Sequence, residues 1–373
     1  MVYNNFADLK ISALGMGCMR LPNLGVYENI DVEAVREMVA YSMGNGINYY
    51  DTAWGYHGGN SEGVMGEVLS DYPRESFFLA TKFPGFLPEY TDKVKEVFEK
   101  QLERCRVDYF DFYLFHNVND ASVDLYLDPK YGILDYLLEQ KKNGRIRHLG
   151  FSDHSNIENF RRFLDAYGSY MEFCQIQLNW LDYDFQDAKT KVKILNEMNI
   201  PVWVMEPLRG GGLCQLSPEH KERLQALNPD YTAPEWAFRF LQGVKGVTLT
   251  LSGMSNFEQI KQNIETFKDI KPLRENEMST LLDIAKEMTS KNTLLCTECR
   301  YCTERCPNDI NIPSIIKQYN KHIFHGGFDV SAVEGEKTPF DCIECACCEE
   351  ACPQNIKISE MMADIKTKVI KTH

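Results

Sequence analysis

The sequence lacks a long apolar segment, a basic leader and an excess of positive charge. No apolar run approaches the roughly 18–20 residues that a transmembrane helix needs. The opening residues, MVYNNFADLKIS, contain neither the basic region nor the apolar region of a signal peptide. The net charge of −14 disfavours nucleic acid and anionic membranes as partners. We therefore expect a cytoplasmic protein that binds neither.

The cysteines are distributed unevenly, and this divides the chain. Nine of the thirteen fall between residues 296 and 352. In a chain without an export signal, clustered C-x-x-C spacing indicates metal binding rather than disulfides. The other four are expected to be reduced and structural: Cys18, Cys105, Cys174 and Cys214.

Short apolar runs alternate with longer helical patterns from about residue 15 to residue 270. Strands are predicted at 15–19, 47–51, 77–82, 109–115, 146–151, 173–178, 201–206 and 247–252. Helices are predicted near 31–45, 61–70, 91–104, 131–143, 155–166, 185–198, 232–242 and 256–268. Asp31 and Ser61 are suitable N-caps, and TAPE at 232–235 is a capping-box pattern.

Eight strand–helix units in about 255 residues match a (β/α)8 TIM barrel in number and length. A doubly wound sheet is the alternative, but no G-x-G-x-x-G motif opens a first βαβ unit. The predicted fold is α/β, with a barrel domain over 1–285 and a small, mainly helical ferredoxin-like domain over 286–373. The active site of a barrel lies at the carboxyl ends of its strands.

Four ionisable residues lie at or just after successive predicted strand ends: Asp51, Tyr56, Lys82 and His116. Together with DTAWGYHGGNSE, TKFP, GRIRHLGFSDHS, CQIQLNW and VMEPLRGGGL, they resemble the aldo-keto reductase superfamily over about residues 10–270. The resemblance implies hydride transfer between a nicotinamide and a small-molecule carbonyl or alcohol. It implies that Tyr56 is the general acid, with a pKa lowered by Lys82. Asp51 would hold Lys82, and His116 would orient the substrate.

The same resemblance implies a set of nicotinamide contacts. Ser152 and Gln175 match the carboxamide-binding residues, while Asp153 stands where the family more often has Asn. Met205 replaces a stacking Tyr. In the adenosine-end motif, Gln259 replaces the Arg that many members use for the 2′-phosphate, so both NADP and NAD remain open; Lys261 is the nearby cation. The full set is Gly17, Ser152, Asp153, Gln175, Met205, Pro207, Leu208, Gly210, Gly253, Gln259 and Asn263.

The C-terminal cysteines form the pattern C-x2-C-x2-C-x3-C-P twice, which predicts two 4Fe–4S clusters. In two-cluster ferredoxins the fourth cysteine of each run binds the other cluster. One cluster is therefore expected on Cys296, Cys299, Cys302 and Cys352, and the other on Cys342, Cys345, Cys348 and Cys306. This leaves Cys347 without a ligand role. Zinc is the alternative, but it normally uses two C-x-x-C pairs.

Hydride transfer moves two electrons together, whereas a 4Fe–4S cluster passes one. Three hypotheses follow: an NAD(P)H-dependent carbonyl reductase with auxiliary clusters, a flavin-containing electron-transfer oxidoreductase, and a nicotinamide-binding redox sensor. A redox partner protein would dock through a basic patch, because the chain is acidic. Trp54, His57, Trp180 and the loop 117–128 are candidates for the substrate pocket. The sequence identifies neither the substrate nor the oligomeric state.

Overall fold

The computed structural model describes residues 1–289, 294–325, 333 and 335–370, without the side chains of 321–325 and 368–370. Its strands are β1 (Tyr3–Phe6), β2 (Leu9–Ser12), β3 (Leu14–Gly17), β4 (Tyr49–Asp51), β5 (Phe78–Phe83), β6 (Phe110–Val118), β7 (Ile146–Asp153), β8 (Phe173–Gln177), β9 (Val202–Met205) and β10 (Val247–Ser252). Strands β3 to β10 form a closed parallel barrel in chain order, with β10 paired to β3. The predicted TIM barrel is confirmed, and each barrel strand overlaps one predicted strand.

The first two strands form an antiparallel hairpin that the sequence analysis did not predict. Phe6 of this hairpin packs edge-on against Trp203, with ring centroids 4.9 Å apart. It shares a buried cluster with Phe112 and Phe173 inside the barrel. Each strand of the hairpin has only four residues, too few for a clear alternating pattern. The hairpin closes the end of the barrel opposite the carboxyl ends of the strands.

The helices are α1 (Val32–Gly44), α2 (Ser61–Leu69), α3 (Val94–Cys105), α4 (Val123–Leu127), α5 (Ile133–Lys142), α6 (Ile157–Tyr167), α7 (Asp182–Phe185), α8 (Ala188–Glu197), α9 (Pro218–Leu227), α10 (Ala233–Gln242), α11 (Phe257–Thr266), α12 (Glu275–Thr289), α13 (Tyr301–Glu304), α14 (Ile312–His325), α15 (Cys347–Glu350) and α16 (Ile358–Ile370). The eight predicted helices correspond to α1, α2, α3, α5, α6, α8, α10 and α11. No described helix is long and apolar enough to cross a membrane.

Asp31 is an N-cap as predicted, whereas TAPE forms only the first half of the predicted capping box, because the Glu235 carboxylate pairs with Arg239. The Asp31 carboxylate accepts a hydrogen bond from the Ala34 amide, and the Thr232 hydroxyl accepts one from Glu235. The prediction for Ser61 is wrong, because Ser61 is already the first residue of α2. Its hydroxyl instead pairs with Thr52 Oγ1 at 2.9 Å inside the protein.

The C-terminal segment has its own small core, formed by α13 to α16 and the loops between them. Its buried residues are Cys302, Ile310, Ile312, Ile315, Ile316, Val333, Cys348, Ile356, Ile358, Met361, Met362 and Ile365. The predicted boundary at residue 285 falls inside α12, which belongs to the barrel core through its buried residues Leu281 and Ile284. The described part of the C-terminal segment begins at residue 294.

Candidate active site and cluster-binding segment

Four predicted catalytic residues meet at the carboxyl ends of β4, β5 and β6. Asp51 is the last residue of β4, and the chain then turns to place Tyr56 beside it. Lys82 projects from β5 and is completely buried. Its ammonium donates hydrogen bonds to Asp51 Oδ1 at 2.5 Å and to Tyr56 Oη at 3.3 Å. His116, from β6, lies with its ring 5.9 Å from that of Tyr56.

Burial dominates the electrostatics of this group. It raises the pKa of Tyr56 above its usual value, and the charge of Lys82 opposes that rise without reversing it. Lys82 thus lowers the pKa of Tyr56 as expected, but burial raises this pKa by more, so the net shift is upward. Burial lowers the pKa of Lys82, but the Asp51 carboxylate and the Tyr56 phenol together raise it by more, so the net shift is upward. The site thus holds a protonated phenol beside a charged ammonium.

His116 is a neutral imidazole. Burial lowers its pKa well below the usual value, and the positive charge of Lys82 adds to this effect. Its Nδ1 is buried and has no hydrogen-bond partner in the part of the chain that the structure describes. Its Nε2 lies 3.1 Å from the hydroxyl of Tyr301, a residue of the C-terminal segment. The backbone of His116 is fixed by Tyr126, whose hydroxyl donates to the His116 carbonyl.

A cavity of about 370 Å³ extends from the four catalytic candidates along the open end of the barrel. Ten of the eleven predicted cofactor residues line it: Gly17, Ser152, Gln175, Met205, Pro207, Leu208, Gly210, Gly253, Gln259 and Asn263. Asp153 lies outside the lining, because its carboxylate is bound by Lys191 at 2.6 Å and by Ser155 at 2.7 Å. The next residue, His154, lines the cavity instead and was not predicted.

The cavity contains polar groups that suit a nicotinamide carboxamide. Gln175 Oε1 is buried and has no hydrogen-bond partner among the described residues, while its Nε2 contacts the Met205 sulfur at 3.6 Å. A buried unpaired carbonyl oxygen is costly unless a ligand donates to it. Ser152 lies beside it on the neighbouring strand. The residues present therefore fit the carboxamide of a nicotinamide.

Gln259 lines the cavity at the position where many aldo-keto reductases have the arginine that binds a 2′-phosphate. Its Oε1 accepts a hydrogen bond from the Ser255 amide at 2.7 Å. Lys261 does not line the cavity, because its ammonium lies 4.9 Å from the Phe257 ring centroid on the same helix. At Gln259 the cavity therefore offers a neutral amide where a 2′-phosphate would need a cation.

The glycine-rich loop after β9 is held in a strained backbone conformation. Glu206 and Arg209 have φ values of 56° and 50°, which side-chain-bearing residues rarely adopt. Glu206 accepts hydrogen bonds from the Gly210 amide at 2.6 Å and from Arg20 at 3.2 Å. Arg209 is buried and forms an ion pair with buried Asp182 at 2.9 Å. These contacts offset the strain and fix the loop against the cavity.

The same loop and Arg20 contact the C-terminal segment directly. Arg209 donates to the Leu295 carbonyl, and to Gln354 Oε1 at 2.6 Å. Arg20 donates to the Thr297 carbonyl at 2.6 Å. A Cβ on Gly210 would lie only 2.2 Å from that carbonyl oxygen, so glycine is required there. The C-terminal segment therefore packs across the open end of the barrel.

Four residues of the C-terminal segment line the active-site cavity, and the sequence analysis assigned none of them to it. They are Thr297, Cys299, Tyr301 and Pro353. Nothing in the spacing C-x2-C-x2-C indicates that its spacer residues reach a catalytic site. The pocket candidates Trp54, His57 and Trp180 do not line the cavity. Trp54 stacks beneath Arg104, His57 binds the Leu21 amide, and Trp180 is 1% exposed.

The cysteines of the two motifs lie in two groups. Cys306, Cys342, Cys345 and Cys348 line one small cavity, and Cys347 is not part of its lining. In the other group, burial raises the pKa of Cys299, and the neighbouring thiols of Cys352 and Cys296 raise it further. Cys306 thus lies with the cysteines of the second motif, and Cys352 lies with those of the first. The predicted exchange of the fourth ligands requires this arrangement.

The donor set fits iron–sulfur clusters. The ligand candidates in the group around Cys306 are four cysteines that line one cavity, and thiolates are the ligands of 4Fe–4S clusters. A cubane spreads its four thiolates over four irons, so its ligands lie farther apart than those of a zinc ion. Burial raises the pKa of Cys348 to about 12, with Cys342 adding to the rise. Buried thiols that repel one another as thiolates are stabilised by a cationic cluster.

Comparisons with known proteins agree with the division of the chain into a barrel and a cysteine-rich segment. Residues 13–286 match the model of the aldo/keto reductase family, and residues 295–356 match that of a 4Fe–4S dicluster domain. The chain is 25% identical over 312 residues to the uncharacterized oxidoreductase YqkF of Bacillus subtilis, covering 75% of this chain and 95% of the relative. It is 25% identical over 308 residues to L-galactose dehydrogenase of Arabidopsis thaliana, covering 75% and 93%.

A solved structure shows the same fold. The holo form of aldo-keto reductase AKR11C1 from Bacillus halodurans superimposes with a TM-score of 0.62 at 24% identity, covering 76% of this chain and 96% of that protein. The matched part is the barrel, and the cysteine-rich segment is additional to it. With its 4Fe–4S domain joined to a complete barrel, the chain belongs to the aldo/keto reductase family.

Proposed function

We propose that the protein is an NAD(P)-dependent oxidoreductase that reduces an aldehyde or ketone by hydride transfer, or oxidises the corresponding alcohol in the reverse direction. The observation that carries this proposal is the buried Asp51–Lys82–Tyr56 hydrogen-bonded group at a cavity that also holds the unpaired Gln175 Oε1. Electron transfer alone has no need of a proton donor held in this way. A nicotinamide, when bound, would supply the hydride.

Each of the four catalytic candidates has its own role in the proton transfer. Tyr56 stays protonated and donates its proton to the substrate oxygen as that oxygen gains negative charge. The ammonium of Lys82, 3.3 Å away, stabilises the phenolate that remains. Asp51 keeps Lys82 charged and in place. A neutral His116 fixes the direction of the substrate oxygen by a hydrogen bond.

The cysteine domain would hold two 4Fe–4S clusters. Cys296, Cys299, Cys302 and Cys352 would hold the first, and Cys342, Cys345, Cys348 and Cys306 the second. The cavity lined by Cys306 together with three cysteines of the second motif supports this exchange of ligands. The clusters, when present, supply one-electron chemistry.

Substitution of Tyr56 by Phe tests the proposal. We expect NAD(P)H oxidation driven by an aldehyde panel to fall by about 10²–10⁴-fold, because the proton donor is lost while the ring is kept. The visible absorbance of the clusters should stay unchanged. Tyr170→Phe, at an exposed tyrosine, is the matched control and should keep wild-type activity. Full activity in Tyr56→Phe would show that the catalytic assignment is wrong.

A second candidate is a flavin-containing oxidoreductase that exchanges electrons between the barrel and the clusters. One observation favours it: the predicted cluster ligand Cys299 lines the same cavity as Tyr56. A flavin would convert hydride pairs into single electrons, and a redox partner protein would then accept them. The absorption spectrum of anaerobically purified protein distinguishes the candidates. Flavin bands beneath the broad cluster absorbance favour the second, and their absence with aldehyde-driven NAD(P)H oxidation favours the first.

A further inference from the structure

The cysteine domain places a phenol inside the barrel's active site. Tyr301 lies between two predicted cluster ligands, yet its hydroxyl is 3.1 Å from His116 Nε2. Its side chain is buried and lines the cavity together with Tyr56 and Lys82. Tyr301 therefore forms one wall of the site that contains Asp51, Tyr56, Lys82 and His116.

The position of the Tyr301 ring is fixed from two sides. On the barrel side it packs against Phe86, with ring centroids 5.8 Å apart, and Phe86 packs edge-on against His116 at 5.1 Å. On the other side, Arg300 has a φ of 66°, and Tyr301 begins the short helix α13 immediately after it. The hydroxyl is consequently held at the His116 nitrogen by both domains.

A substrate oxygen placed between Tyr56 and His116 has to share this nitrogen with Tyr301. The neutral imidazole of His116 carries one proton, and its Nδ1 has no partner. When the substrate oxygen takes the hydrogen bond of Nε2, the Tyr301 hydroxyl loses its partner in a buried place. Leaving a buried hydroxyl unpaired is unfavourable. A substrate that carries a second oxygen beside its carbonyl restores that hydrogen bond, and a simple carbonyl does not.

We propose that Tyr301 is a specificity-determining residue that selects carbonyl substrates bearing a hydroxyl on the adjacent carbon. The Tyr301 hydroxyl pairs with the substrate hydroxyl while Tyr56 and His116 bind the carbonyl oxygen. A site built to hydrogen-bond a substrate hydroxyl discriminates strongly against the analogue that lacks it. This inference rests on the proposed carbonyl reductase function and assigns to the cysteine domain a direct part in substrate choice.

The test compares glyceraldehyde with propionaldehyde, which share a three-carbon chain and differ in hydroxyl groups. We expect the holoenzyme with both clusters to prefer glyceraldehyde by at least about tenfold in kcat/KM, which corresponds to about 1.4 kcal/mol. In Tyr301→Phe the preference should fall below about threefold, because the hydrogen bond to the substrate hydroxyl is lost and a simple carbonyl no longer displaces the Tyr301 hydroxyl from His116. The Phe ring keeps the packing on Phe86, and an unchanged iron content shows that the domain is intact.

Tyr319→Phe is the matched control, because it removes a hydroxyl of the same domain that bonds Asp364 at 2.7 Å. Its preference for glyceraldehyde should equal that of the wild type. Two results would overturn the proposal: a wild-type enzyme that reduces both aldehydes without preference, or a Tyr301→Phe variant that keeps the wild-type preference.

Calorimetry of the nucleotide-bound holoenzyme provides a readout without turnover. The wild type should bind glycerol at least about ten times more tightly than 1-propanol, and Tyr301→Phe should bind the two with similar affinity. If neither aldehyde is reduced, the proposed function fails by itself, and the calorimetry still decides the role of Tyr301. Equal binding of glycerol and 1-propanol by the wild type would refute that role.

Discussion

The barrel and the cysteine domain are stabilised in different ways. The barrel interior contains large, completely buried rings such as Tyr49, Phe112 and Trp203, and a continuous apolar cluster surrounds the strands. The core of the cysteine domain consists mainly of isoleucines and methionines, and two of its buried members are predicted cluster ligands, Cys302 and Cys348. Small domains with cores of this size usually need metals or disulfides. We therefore expect the barrel to fold from its own contacts and the cysteine domain to need bound iron–sulfur clusters to fold.

The largest expected effect comes from removing one cluster ligand. Cys348→Ala should lose a cluster and unfold the cysteine domain while the barrel stays folded, because ligand binding and folding of such a domain are one process. Cys347→Ala is the matched control and should keep both clusters. Iron content, together with hydrogen exchange of residues 294–370 and of the barrel, measures both outcomes. If Cys347→Ala lost a cluster and Cys348→Ala kept both, the assigned register would be wrong.

The next largest effect tests the contact between the two domains. Arg209→Met leaves the Asp182 carboxylate buried without its cation and removes the hydrogen bond to Gln354. Breaking a buried ion pair costs about 3–5 kcal/mol in the free energy of unfolding. Chemical denaturation of the holoenzyme under anaerobic conditions provides the measurement. Arg162→Met is the control, because it removes an exposed ion pair with Asp124; it should lower the free energy of unfolding by less than about 1 kcal/mol. Equal losses in the two variants would contradict a stabilising role for the buried Arg209–Asp182 pair.

A smaller effect is expected at Gln259, in the lining of the active-site cavity. Gln259→Arg should raise the ratio of kcat/KM for NADPH to that for NADH by about tenfold, because guanidinium forms paired hydrogen bonds with phosphate. Lys261→Ala should leave the ratio unchanged, since Lys261 lies against Phe257 outside the cavity. Steady-state rates with both nucleotides measure the effect. If Lys261→Ala changed this ratio and Gln259→Arg did not, Gln259 would not be the residue that contacts the adenosine end of the nucleotide.

The barrel fold could be predicted from the sequence because each strand and helix has its own local pattern of apolar residues. Each parallel strand is a short apolar run, and the ionisable residues at strand ends are visible in order along the chain. The N-terminal hairpin was missed because its two strands are four residues each. The start of α2 was assigned incorrectly because Ser61 uses its hydroxyl for a tertiary contact with Thr52.

Other features of the site depend on long-range packing that the sequence does not encode locally. The contact of Tyr301 with His116 joins residues 185 positions apart, and no spacing rule connects a cysteine-motif spacer to a barrel strand. The pKa of Tyr56 was expected to be low from its cationic neighbour. The structure adds complete burial, which outweighs the effect of Lys82 and reverses the net direction.

The close approach of Gly210 to Thr297 limits how this protein can change through evolution. The glycine-rich loop has a φ of 64° at Gly210, and a methyl group there would strike the Thr297 carbonyl. A side chain at this position would be tolerated only with a compensating shift of the cysteine domain. The glycine-rich loop and the cysteine domain therefore cannot accumulate substitutions independently, and exchanging either one with a homologue would require redesigning both surfaces together.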